Sequence, residues 1–187
     1  MVKKVKTCVF VSGNGSNLNA ILKNSKKSNF PIKIELIISN NNKSKAIKIA
    51  KKNTITYKFF SSKNKKKFEK NSLNLIKKNK IKFICLAGFM KILSKNFIKK
   101  FEKPILNIHP SLLPKYKGLN THQRVLKNNE KFSGSTVHIV TPKLDSGKII
   151  LQKKIKILKN DTPKKLQKRI LKQEHKIYPK ALHMIMS

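Results

Sequence analysis

The sequence predicts an α/β domain with a mostly parallel sheet, helices on both faces and an antiparallel C-terminal part. Three observations carry this. Short apolar runs alternate with longer stretches of helical spacing along the whole chain. The run Ile81 to Ala87 is almost continuously apolar, as strands buried on both faces of a parallel sheet are. Two late strand patterns follow one another with no helix between them, which points to an antiparallel part. The 187 residues fit one domain, spanning 1–187, because no repeat and no Pro/Gly/Ser linker divides them.

The elements run in order as follows. Thr7 to Val11 is a β-branched and aromatic strand, and a glycine turn leads to a helix from about Asn17 to Lys23. A strand over Ile32 to Ile38, a lysine-studded helix over Ser44 to Lys51 and a strand over Ile55 to Phe59 come next. Lys65 to Lys78 places Phe68, Leu73, Leu75 and Ile76 at roughly helical spacing. After the Ile81 strand come a helix near Lys95 to Lys100, a strand at Ile105 to Ile108 and a helix at Thr121 to Leu126. The antiparallel pair is Ser135 to Val140 with Ile149 to Ile157. Thr162-Pro163 caps and opens a final helix reaching about Met186.

Composition excludes several classes. No apolar run approaches the roughly 20 residues that cross a bilayer, so no membrane association is expected. The basic start Met1-Val2-Lys3-Lys4 resembles the head of a signal peptide, but the apolar stretch behind it is short and ends in Ser12-Gly13-Asn14-Gly15. It reads as the first core strand of a cytoplasmic protein. Cys8 and Cys85 match no zinc or redox spacing and read as buried small hydrophobes, without a disulfide. The net charge of +38 raises the question of nucleic acid. Of the 45 basic residues only Arg124 and Arg169 are arginines, and the lysines are dispersed rather than gathered. Base readers lean on arginine forks and aromatic platforms. With asparagine and isoleucine also abundant, the charge reads as compositional drift on exposed positions, and no nucleic-acid partner is expected.

Three strand ends carry candidate chemistry. Ser12-Gly13-Asn14-Gly15-Ser16-Asn17 joins the first strand to the first helix. The amides of Gly15, Ser16 and Asn17 at a helix start suit a phosphate. A plain turn with an Asn or Ser cap is an equal reading, since the loop is neither a dinucleotide fingerprint nor a P-loop. Asn107 and His109, two apart on a strand, share a face before Pro110 stops the ladder. An amide donor beside an imidazole is what acyl transfer needs. This pairing raises His109 above His122, His138, His175 and His183. Asp145, in Leu144-Asp145-Ser146-Gly147, is one of seven acidic residues and sits where a loop could bring it to His109. Such a carboxylate would raise the histidine pKa and favour its charged form. Spacing alone favours an ordinary Asx turn there.

Together the stretches VFVSGNGSNLNAIL, ICLAGFMKILS, ILNIHPSLLPKYKGL, STVHIVTPKLDSGKIILQ and QEHKIYP strongly resemble the glycinamide ribonucleotide formyltransferases, in order and over nearly the whole chain. The resemblance implies a single-domain, Rossmann-like formyltransferase fold. It also implies transfer of formyl from the co-substrate 10-formyltetrahydrofolate to the glycyl amine of glycinamide ribonucleotide, without a metal. It places the substrate phosphate on Gly15, Ser16 and Asn17, with Glu174 near the ribose. The folate site would comprise Met90, Lys91, Ile92 and Leu93, the loop from Thr141 through Leu144 to Asp145, Asn107, and Lys65 at the folate tail. Asn107, His109 and Asp145 would form the catalytic trio. Lys91 stands where relatives usually carry arginine, keeping charge while losing a bidentate fork.

Related activities are set aside by the same comparison. Methionyl-tRNA formyltransferases share the Asn/His/Asp core but normally add a tRNA-reading C-terminal domain, for which this chain has no room. Formyltetrahydrofolate deformylases normally begin with a regulatory domain. The expected partners are small molecules, and the expected state is a monomer or weak homodimer.

Overall fold

The computed structural model describes residues 3–186. Met1 and Val2, which open the basic N-terminal stretch, lie outside the described residues. The order is β1 (Val5–Val11), α1 (Ser16–Ser25), β2 (Ile32–Ser39), α2 (Ala46–Lys52), β3 (Thr56–Phe59), α3 (Lys65–Lys78), β4 (Phe83–Leu86), α4 (Lys95–Phe101), β5 (Ile105–His109), α5 (Thr121–Lys127), β6 (Phe132–Ile139), β7 (Ile149–Lys156) and α6 (Pro163–Met186).

Each predicted element is present, with shifted ends. The apolar run Ile81 to Ala87 contributes only Phe83–Leu86 to the sheet, because β4 pairs with β1 over just that length. Ile81 instead donates its amide back to the Ile76 carbonyl at the end of α3. Strand β6 begins three residues earlier than its apolar pattern indicates, because Phe132, Ser133 and Gly134 find partners in Lys156, Ile155 and Lys154. Ladder pairing with a neighbour, invisible in the local pattern, sets both boundaries.

The strands form one sheet in the order β3-β2-β1-β4-β5-β6-β7. The first five are parallel, while β5–β6 and β6–β7 are antiparallel. After β1 the chain builds outward to β2 and β3, then returns to the other side of β1 for β4 and β5. That reversal opens a crevice beyond the carboxyl ends of β1 and β4, where α/β sheets bind ligands.

Alternation along β1 explains the sheet's two cores. Val9 and Val11 face one side with Leu18 and Ile21 of α1, Ala46 and Ala50 of α2, and Tyr178 and Leu182 of α6. Cys8 and Phe10 face the other with Phe68 and Ile76 of α3 and Phe97 and Phe101 of α4. The Phe10 ring meets Phe68, Phe89 and Phe97 edge-on. Each such side chain contributes about 1.5–3 kcal/mol by leaving water. Both cysteines are free and buried, and burial pushes both thiols above their ordinary pKa. No described lysine is buried. Among the described residues, no helix is long and apolar enough to cross a membrane.

Helix α6 crosses the sheet and fixes what lies at its ends. Pro163 takes the first helical position, and the Lys165 amide donates to Thr162 Oγ1 at 3.3 Å. Further along, the fully buried Tyr178 hydroxyl lies 3.0 Å from the Leu86 carbonyl and 2.9 Å from that of Leu106. One phenol thereby ties the helix to the end of β4 and to the neighbouring stretch of β5.

Candidate active site

The glycine loop opens the crevice. Gly15 is the residue before α1 and has φ 72°, in the left-handed region. A Cβ there would lie 3.0 Å from Ile49 Cδ1 and 3.4 Å from the Ala46 Cα, so glycine meets both the backbone and the space requirement. The alternative of an Asn or Ser cap is not what forms, because no side chain caps α1. Its first-turn amides therefore have no capping side chain. Ser12 ties the loop to the neighbouring strand end. Its amide donates to Gly88 O (3.2 Å), and its Oγ accepts from the Met90 amide (2.8 Å).

One turn of α6 before Tyr178, Glu174 enters from the other side. Asn17 Nδ2 donates to Glu174 Oε2 at 2.6 Å, with both residues buried. Burial pushes the Glu174 carboxyl above its ordinary range, and the Asn17 contact offsets this only in part.

Beside the loop lies a cavity of about 340 Å³ lined by Lys65, Phe68, Glu69, and the segment from Phe89 to Leu93. Met90 and Ile92 are more than half exposed there. The structure thus brings Lys65, Met90, Lys91, Ile92 and Leu93 to one cavity. Glu69 holds this segment's far end, its two carboxylate oxygens accepting from the Ser94 amide (2.7 Å) and hydroxyl (2.6 Å). Thr141 and Leu144 lie in the β6–β7 turn, where Thr141 Oγ1 donates to the Lys143 carbonyl and Leu144 is largely exposed.

At the end of β5 the polar residues converge on Asp145. Its Oδ2 lies 3.4 Å from His109 Nδ1 and accepts from the Gly118 amide at 2.9 Å. Its Oδ1 lies 3.6 Å from His138 Nε2. Asn107 Nδ2 stands 3.2 Å from that same His138 nitrogen. Asn107 and His109 are thus linked through His138 and Asp145. Asp145 is not an Asx turn closing on itself: with φ 44° it turns its carboxylate inward, leaving the side chain 8% exposed.

The charge states need a correction to the expectation from sequence. Asp145 does push His109 toward its charged form, but burial is the larger effect and holds the imidazole below its ordinary pKa. Contact with the Tyr116 carbonyl offsets this only in part. Burial also pushes Asp145 upward, yet His138, the Gly118 amide and His109 together outweigh it and lower its pKa. At neutral pH the resting pair is a carboxylate beside a neutral imidazole.

His138 and Tyr116 were not legible as site residues. His138 faces Asn107 because the antiparallel register pairs the two positions. Knowing that β6 follows β5 does not reveal that register. Tyr116 contributes a backbone carbonyl, 2.8 Å from His109 Nε2, and no side-chain pattern signals a backbone group.

A doubly wound sheet whose strand ends carry an uncapped glycine loop, an Asn-x-His pair and a buried aspartate defines an α/β enzyme domain of the acyl-transfer kind. The formyl transferase family model matches residues 5–182, and the chain belongs to that family. It is 38% identical over 181 residues to phosphoribosylglycinamide formyltransferase of Haemophilus influenzae, covering 93% of this chain and 84% of that protein. It is 37% identical over 190 residues to the trifunctional purine biosynthetic protein adenosine-3 of Homo sapiens, covering 99% of this chain. The chain spans only 19% of the length of that larger relative. The crystal structure of phosphoribosylglycinamide formyltransferase from Brucella melitensis superimposes with a TM-score of 0.93 at 38% identity, covering 99% of this chain and 97% of that one.

Proposed function

We propose that the chain transfers the formyl group of 10-formyltetrahydrofolate to the amine of N1-(5-phosphoribosyl)glycinamide, a step of de novo purine (IMP) biosynthesis. The observation that carries this reading is the buried Asp145 carboxylate joined to His109 and His138 beside Asn107, at the end of β5 in the sheet whose β1 and β4 ends lead into the glycine loop and the Phe89–Leu93 segment. Gly15, Ser16 and Asn17 take the substrate phosphate, and Glu174 the ribose. Lys65, Met90, Lys91, Ile92, Leu93, Thr141 and Leu144 hold the folate.

The chemistry follows from the groups present. The substrate amine attacks the formyl carbon, forming a C–N bond and moving the carbonyl pair onto oxygen. Asn107 has two amide hydrogens; one faces His138 and the other donates to that oxyanion. His109 enters neutral and takes the proton released by the amine. The imidazolium so formed is stabilised by Asp145 and by the adjacent oxyanion. Return of that proton to the folate nitrogen lets the C–N bond to folate break as the carbonyl re-forms. A cytoplasmic chain acting as a monomer or weak homodimer, without nucleic acid or membrane, fits this reading.

The test is an assay of purified protein with 10-formyltetrahydrofolate and glycinamide ribonucleotide, following the folate product. Release of tetrahydrofolate that depends on the ribonucleotide is expected. Turnover with methionyl-tRNA or water in its place would overturn the assignment.

A further inference from the structure

The segment between β5 and α5 reaches the reacting histidine through backbone alone. The Tyr116 carbonyl lies 2.8 Å from His109 Nε2, and the Gly118 amide donates to Asp145 Oδ2 at 2.9 Å. Two backbone groups of one short turn therefore hold both members of the His109–Asp145 pair. Tyr116 has φ 57°, left-handed and uncommon for a bulky residue, so something outside the turn must maintain it.

The restraint is visible on its other side. The Tyr116 hydroxyl donates to Glu130 Oε1 at 2.9 Å and accepts from Asn128 Nδ2 at 3.0 Å. Lys115 Nζ donates to the same Glu130 oxygen at 3.0 Å. The Arg124 guanidinium lies 5.4 Å from the centre of the Tyr116 ring and donates to the Lys117 carbonyl at 2.6 Å. Ser111 Oγ donates to the Lys115 carbonyl at 2.7 Å. The turn is lashed to α5 and the α5–β6 connection.

We propose that Tyr116 and Glu130 are positioning residues for His109: phenol and carboxylate hold the left-handed turn whose carbonyl binds the imidazole Nε2. The inference rests on the catalytic role read for His109 above. A carbonyl can only accept, so it keeps a proton on Nε2 in the neutral ring. Nδ1, beside the Asp145 carboxylate, is then the atom that gains and loses the second proton. The clamp selects the tautomer and leaves Nδ1, steadied by Asp145 once charged, as the nitrogen that takes up the reaction's proton.

The charged and titratable groups facing His109 are Asp145 from the β6–β7 turn, His138 from β6, and His122 and Arg124 from α5. None is altered in Tyr116→Phe, Glu130→Ala or Glu130→Gln. The experiment titrates His109 by NMR in the whole protein, its signal identified by its loss in His109→Ala, and measures kcat and KM on the same samples. The carbonyl favours the charged ring, so loosening it moves the His109 titration to lower pH in Tyr116→Phe and Glu130→Ala. Turnover falls about tenfold, the size of one lost hydrogen bond, with KM for both substrates unchanged. Glu130→Gln, which still offers an acceptor oxygen, recovers part of both effects. An unmoved His109 titration in folded Tyr116→Phe and Glu130→Ala proteins overturns the clamp, whatever the activity. A moved titration with unchanged formyl transfer upholds the clamp and overturns the catalytic reading of His109 instead.

Discussion

The Asp145 carboxylate reaches out of the β6–β7 turn to within 3.4 Å of His109 Nδ1, and both side chains are less than a tenth exposed. Two desolvated groups so placed share one problem: each costs more to charge than it would in water. Asp145 resolves it with the Gly118 amide and His138, and so carries the resting charge. His109 stays neutral at rest, and in the proposed reaction it charges only when a proton and a compensating negative charge arise beside it.

Asp145→Asn keeps the shape and removes that charge. Turnover is expected to fall by at least about two orders of magnitude, with melting temperature and far-UV spectrum near those of wild type. Asn107→Ala removes one oxyanion donor and should cost about 3 kcal/mol of barrier, read as loss of kcat rather than a rise in KM. Wild-type rates in either variant would refute the assigned roles.

Gly15→Ala tests the loop. A left-handed backbone costs a non-glycine residue about 1–2 kcal/mol, and the new methyl presses on Ile49 at 3.0 Å. Chemical denaturation should show that loss. Steady-state kinetics should show a raised KM for the phosphate-bearing substrate and little change for the folate.

Glu174→Gln should trade function for stability. The folded-state pKa of Glu174 is raised, so the unfolded chain ionises first as pH climbs. Wild type therefore loses stability between the ordinary carboxylate pKa and the raised one, and the loss persists above it. The glutamine protein, still able to accept from Asn17, should melt higher at neutral pH and match wild type in acid. Its KM for the ribonucleotide should rise. Thermal melts across pH check the first point; equal melting temperatures at neutral pH contradict it.

Tyr178→Phe removes the hydroxyl that lies within hydrogen-bond reach of the Leu86 carbonyl at the end of β4 and the Leu106 carbonyl inside β5. Losing this buried hydrogen bonding costs about 0.5–1.5 kcal/mol, visible as a lower urea midpoint. The same loss frees α6 above β4 and β5, so KM for the ribonucleotide should rise through Glu174, one turn away.

Much of this molecule was written in local pattern. Alternating apolar runs and caps place all thirteen described elements, and the glycine at position 15 marks the turn that only glycine fills comfortably. The strand-end placement of Asn107 and His109 likewise follows from residue order. Asp145 was different, because its tripeptide reads more readily as an ordinary turn, and only folding shows its carboxylate buried against two histidines.

What the sequence alone determined was the α/β order, the candidate residues and, through resemblance, the chemistry proposed for them. Tertiary structure decided the partnerships and the charge states. His138 joined the site through a register between two strands, and Tyr116 through a backbone carbonyl. The His109 pKa moved down rather than up because burial outweighed its carboxylate neighbour. Residue order encodes which groups are present, whereas depth from water and the geometry of non-local contacts exist only once the chain has packed.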